Sequence, residues 1–104
     1  MLAPFGFLVS AQVPSTVLAA PVISMTNYDQ GGVTIAWDAV VNALTYEFWR
    51  GSPSLGLDWE KLTTTASTSY LDSTVAVGQE YTFEVRARNG QVVGPMSNRL
   101  DLTF

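Results

Sequence analysis

Large apolar residues occupy every second position in three runs of this chain, and mostly smaller or polar residues fill the positions between. The runs are Val33-Thr34-Ile35-Ala36-Trp37, Tyr46-Glu47-Phe48-Trp49 and Tyr81-Thr82-Phe83-Glu84-Val85-Arg86-Ala87. A period of two is what a strand with one buried face imposes. In the middle run Tyr46 and Phe48 share one face, and Glu47 and Trp49 share the other. The spacing predicts four further strands. Residues 22–25 open one at Pro21, on an edge where a missing N–H does little harm. Residues 58–63, with Trp59 and Leu62, form a short one, and the Thr- and Ser-rich residues 64–71 form another edge. A last strand holds Leu100, Leu102 and Phe104. Residues 27–32, 38–43 and 51–56 read as turns or loops, and Asn89-Gly90 as a tight hairpin turn, since both residues tolerate positive φ. No helical period separates the strands. Seven short strands therefore predict an all-β antiparallel sandwich.

Residues 1–20 break this pattern. MLAPFGFLVSAQVPSTVLAA carries no charge, and Asp29 is the first charged residue in the chain. Val9-Ser10-Ala11 has the form of a signal cleavage site, but the basic region such a signal needs is missing. Pro4, Gly6, Ser10, Gln12 and Pro14 interrupt the 18–20 apolar residues that a membrane span requires. Met1 is read as the initiator. Pro4, Pro14 and Pro21 favour extended backbone. Extended, twenty residues reach about 65–70 Å, and ordering them costs on the order of 20–40 kcal/mol. Burial offsets this at about 25 cal/mol per Å² of apolar surface, so the segment needs a large surface to lie on. Linkers are polar, and this one is not. The expectation is an extended apolar arm over 1–20, followed by a sandwich over 21–104. Phe5, Phe7, Leu8, Val9, Val13, Val17 and Leu18 are the arm's expected protein-binding residues.

Composition narrows the function classes. Hydrophobic residues make up 47% of the chain and charged residues 13%, about half the usual charged share, so the chain is globular and shows little charge. A net charge of −4, with the five cations scattered, provides no basic stripe for displacing phosphate counterions, and no nucleic acid is expected as partner. Histidine and cysteine are both absent. The commonest general base, the thiolate nucleophile and the commonest soft metal ligands go with them. Most of the carboxylates fall in turns or on outward strand positions, where solvation is their default, and Asp58 with Glu60 is too few ligands for a calcium loop. Neither an enzyme nor a cofactor or metal site is expected.

From Pro21 to Phe104 the residues resemble a fibronectin type III domain. The marks are Trp37 in VTIAWDAV, the step from Ala43 to Tyr46 in NALTYEFWR, the WEKL segment, Thr68-Ser69-Tyr70-Leu71-Asp72, and VAVGQEYTFEVRARNG followed by PMSN. The resemblance implies an immunoglobulin-like sandwich in which Trp37 and Tyr46 are core. It also implies a tyrosine corner at Tyr81, whose hydroxyl ties the preceding loop to its strand. Val75 and Val77 stand where the family usually has Leu and Pro, while Gly78 is kept. There is no Arg-Gly-Asp triplet to suggest integrin binding. Members of this family serve as spacers, receptor ectodomains, enzyme appendages and virion parts, so the resemblance implies a fold more than a role.

Two roles fit these readings. The first is a structural protein of a repetitive assembly, located in a phage virion as a capsid decoration or cement protein or a small head or tail component. There the arm would lie on capsid or other subunits, or on copies of itself. The alternative is an extracellular module that binds a glycan or a receptor through the exposed aromatics Trp49 and Trp59, with Arg86 beside Trp49. Tryptophan with arginine is the composition of binding hot spots. The simpler reading of Trp49 is local cover by an arginine lying over its ring, and that of Trp59 is packing at the sheet edge.

Overall fold

The computed structural model describes residues 16–104. Of the expected arm residues, Phe5, Phe7, Leu8, Val9 and Val13 lie outside them. Two antiparallel sheets face each other. One is built from β1 (Ile23–Asp29), β2 (Gly32–Trp37) and β5 (Ser69–Asp72), with β2 in the middle. The other takes β4 (Glu60–Thr65), β3 (Thr45–Gly51), β6 (Glu80–Asn89) and β7 (Val92–Met96) in that order, and β8 (Leu100–Thr103) also pairs with β6. A single 3-10 turn, Pro53–Leu55, separates β3 from β4.

The alternation seen in the sequence sets the core. Val33, Ile35 and Trp37 of β2 meet Tyr46 and Phe48 of β3 and Phe83, Val85 and Ala87 of β6, all buried. Phe48 lies at the centre, its ring 5.7 Å from that of Phe83 and 4.8 Å from that of Tyr70. Trp37 meets Tyr46 edge-on at 5.6 Å. Burial of one such aromatic side chain contributes about 1.5–3 kcal/mol.

Four expectations need correction. The turn cluster over 27–32 is shorter than its composition suggests. β1 runs through to Asp29 with a bulge between Met25 and Asn27, and only Gln30 and Gly31 turn, held by the Gly31 N–H donating to Asp29 Oδ1 at 2.8 Å. Residues 64–71 are not one strand. Thr64 and Thr65 finish β4 against β3, and the chain then crosses to the other sheet, where Ser69–Asp72 pairs with β2. The last strand also has a forerunner. β7 and β8 both lie along β6, and residues 97–99 between them belong to neither strand. There the Ser97 hydroxyl accepts the Val85 N–H at 2.9 Å, and the Asn98 side chain bonds Ile23 at both its N–H (2.7 Å) and its carbonyl (3.1 Å). The interruption stitches the final strand to β1 on the opposite sheet.

The fourth correction concerns Leu18. Expected in the arm's binding surface, it is only 5% exposed and belongs to the sandwich's own core. Its seat exists because Gly94 of β7 has no side chain, since a Cβ there would stand 2.9 Å from Leu18 Cβ and 3.2 Å from its carbonyl oxygen. Gly94→Ala is therefore expected to lower stability by about 1–3 kcal/mol, the usual cost of overpacking, read as a lower unfolding midpoint. Val17, one residue earlier, stays 73% exposed. The core thus takes in a residue on the arm side of the expected break at residue 20.

Candidate functional site

Alternation places Glu47, Trp49, Arg86 and Arg88 together on the outer face of the larger sheet, and register joins them, with Glu47 opposite Arg86 and Trp49 opposite Glu84. By its outward strand position Glu47 is expected to be a solvated carboxylate. The structure buries it to 1% exposure. Arg86 Nε donates to Oε1 at 2.7 Å, Arg88 to Oε2 at 2.7 Å, and the Trp49 indole N–H to Oε1 at 3.0 Å. Burial alone would raise the Glu47 carboxyl. The hydrogen bonds from Arg88, Arg86 and Trp49, with the charge of Arg86, outweigh it and bring the pKa to about 2. Arg86 also lies 5.5 Å over the Trp49 ring. Both groups offered as a binding pair are thus engaged with each other and with Glu47, which removes much of their capacity to hold a partner.

At one end of the sandwich Arg50 reaches from β3 across to the opposite sheet. It donates to Asp72 Oδ2 at 2.8 Å and to the Thr74 hydroxyl at 2.7 Å, and its guanidinium sits 5.0 Å over the Tyr81 ring. Asp72, 1% exposed, also accepts the Thr74 N–H (3.0 Å) and hydroxyl (2.6 Å) through Oδ1. The Tyr81 hydroxyl accepts the Ala76 N–H at 3.0 Å, which closes the tyrosine corner. Tyr46 does the same for the Val40 N–H at 2.9 Å. Tyr81→Phe is expected to cost about 0.5–1.5 kcal/mol, the net worth of one such bond, and to lower the melting midpoint by several degrees in a thermal scan.

Beside Tyr81 opens a cleft of about 640 Å³, lined by Arg50, Ser52, Leu55, Asp58, Trp59 and Glu60 among others. Trp59 is 36% exposed. Its ring packs on Gly51, where a Cβ would come within 3.2 Å of it, and Arg99 lies 5.8 Å over the ring. The Ser52 and Ser54 hydroxyls bond each other at 3.0 Å, so this hydrogen bond pairs hydroxyl with hydroxyl and not nucleophile with base. Among the described residues no group of three or more carboxylates could hold a metal ion, and no helix is long and apolar enough to cross a membrane.

An exposed apolar groove lies elsewhere. Where the chain enters the sandwich, Val17 (73% exposed), Val22 (77%) and Val41 (79%) stand in water around a groove of about 370 Å³. Val40 and Ala39 also line it, and Asp38 is the one charged residue on its wall. By sequence Val17 is a candidate for this kind of role, whereas Val22 falls in an expected strand and Val41 in an expected loop, and only the fold brings them beside the arm's root.

No family model matches the sequence, and no curated protein matches it. Solved structures do. A human FNIII domain, the fourth of its protein, superposes with a TM-score of 0.74 at 19% identity, over 88% of this chain and 82% of that one. An Fn3-like protein from Clostridium thermocellum gives 0.66 at 24% identity, over 85% and 91%. The twitchin kinase region of C. elegans gives 0.73 at 14% identity over 85% of this chain, which spans 17% of that longer protein. At these identities the likeness carries the fold alone.

Proposed function

Starting from the fibronectin type III fold that this chain adopts, we propose that it is a non-enzymatic structural module of a repetitive protein assembly, docking onto its neighbours through its N-terminal arm. The observation that carries this reading is the junction at residues 17 and 18. An uncharged leader feeds into one end of the sandwich, Leu18 is the leader residue drawn into the domain's core, and Val17 beside it stays in water with Val22 and Val41. An apolar segment joined to an apolar rim is suited to a protein surface and poorly suited to bulk water. The setting we propose is a phage virion, where a capsid decoration or cement protein, or a small head or tail component, repeats many times and modest arm contacts add up over copies. The test is to delete residues 1–15, leaving Leu18 in place, and to count copies per particle by mass spectrometry. Occupancy is expected to fall while the melting midpoint of the free domain stays put. Unchanged occupancy overturns the reading.

One observation favours the other class, an extracellular module that recognises a glycan or a receptor. The Trp59 cleft combines an aromatic ring with hydroxyl and charged groups, the mixture that sugar binding uses. Trp49 has no part in it. On the assembly reading a glycan array shows no binding. Binding that disappears with Trp59→Ala moves the function to this cleft.

A further inference from the structure

The groove at the arm's root also names a partner. We infer that it receives the N-terminal segment of a second copy of this chain, with residues 5–9 seated between Val17, Val22 and Val41. This rests on the assembly reading above: an arm that leaves its own domain needs a receiving surface on another, and every copy carries one beside its own arm. The groove is apolar but for Asp38, and residues 1–15, which precede its first lining residue in sequence, contain no charge at all. Like can meet like there with no charge repulsion and no buried cation to neutralise. Phe5 and Phe7, two positions apart, fall on one face of an extended segment, as a groove occupant requires. Fifteen residues extended reach about 50 Å, ample for a crossing between neighbours. Because root and groove share one end of the sandwich, two copies brought together at those ends can exchange arms reciprocally. That makes a closed pair which fills both grooves and leaves neither set of valines in water.

Complementation tests it. Two chains are made, one lacking residues 1–15 with its groove intact, the other keeping its arm but carrying Val41→Asp in the groove. Val41 is 79% exposed, so this substitution leaves the fold alone, and an unchanged melting midpoint in dilute solution, where the chain is monomeric, checks that it does. Sedimentation of the unaltered chain is expected to show a dimer that dissociates on dilution. Each altered chain alone is expected to dissociate at least tenfold more readily, and mixing the two is expected to restore one arm-in-groove contact and a heterodimer. A monomeric full-length chain at high concentration, or a dimer indifferent to Val41→Asp, overturns the inference, as does a groove filled by the chain's own arm. Particle occupancy measured with the Val41→Asp chain separates this failure from failure of the assembly reading. If occupancy needs the arm but not the groove, the arm docks on a different protein, and only the exchange is lost.

Discussion

Replacing Arg86 and Arg88 together by methionine is expected to lower stability at pH 7 by about 3–5 kcal/mol, as loss of the cations around a buried carboxylate does. Methionine keeps the apolar stems that cover Glu47 while removing the charge and the two 2.7 Å hydrogen bonds. The pH dependence identifies the cause. In the unaltered protein Glu47 has its pKa lowered from 4.5 to about 2. Its contribution, on the order of 3 kcal/mol, is fully present above the unfolded value and is lost as pH falls toward 2. In the double variant the same carboxyl is buried without its cations, its pKa lies above the unfolded value, and stability rises as pH falls from neutrality. Denaturant unfolding at pH 7 and pH 4 reads the two opposite slopes. Adding Glu47→Leu to the double variant is expected to restore most of the loss, because nothing charged is then left beneath the cover. Equal slopes in all three proteins would mean that Glu47 is solvated.

Leu18→Ala is expected to cost about 2–5 kcal/mol, as truncation of a buried leucine does, although leucine at this position belongs by sequence to the leader. Deleting residues 1–15 is expected to leave the midpoint unchanged in dilute solution, and deleting through residue 20 to cost at least as much as Leu18→Ala. Thermal unfolding of the three chains sets the boundary of the domain to within a few residues. A harmless Leu18→Ala would return that residue to the arm.

Much of the fold was legible because period two is a local signal: Val33, Ile35 and Trp37, or Phe83, Val85 and Ala87, declare their face without reference to any other strand. Tyr81 was legible from the residues around it. What escaped depends on register or on contacts between distant segments. Alternation puts Glu47 on the outer face but cannot say how deep it lies. Its burial follows from the pairing of β3 with β6, which sets Arg86 opposite and Arg88 beside it. The two arginines, two positions apart on one strand and across from a lone glutamate, were the available clue. Leu18 looked like leader because prolines flank it and no charge is near, and its seat is made by the missing side chain of Gly94, at the far end of the sequence. β7 was hidden by Gly94 and Pro95, which spoil its alternation. The valine rim escaped because its members come from the leader, the residue just before β1 and a loop.

The most direct measurement places a photoreactive side chain at Phe7 in the full chain, irradiates the native assembly, and reads the products by mass spectrometry. A covalent link from residue 7 to a different polypeptide is expected, with a second copy's groove residues among the acceptors. Links confined to the same chain, under conditions where the assembly is intact, would contradict it.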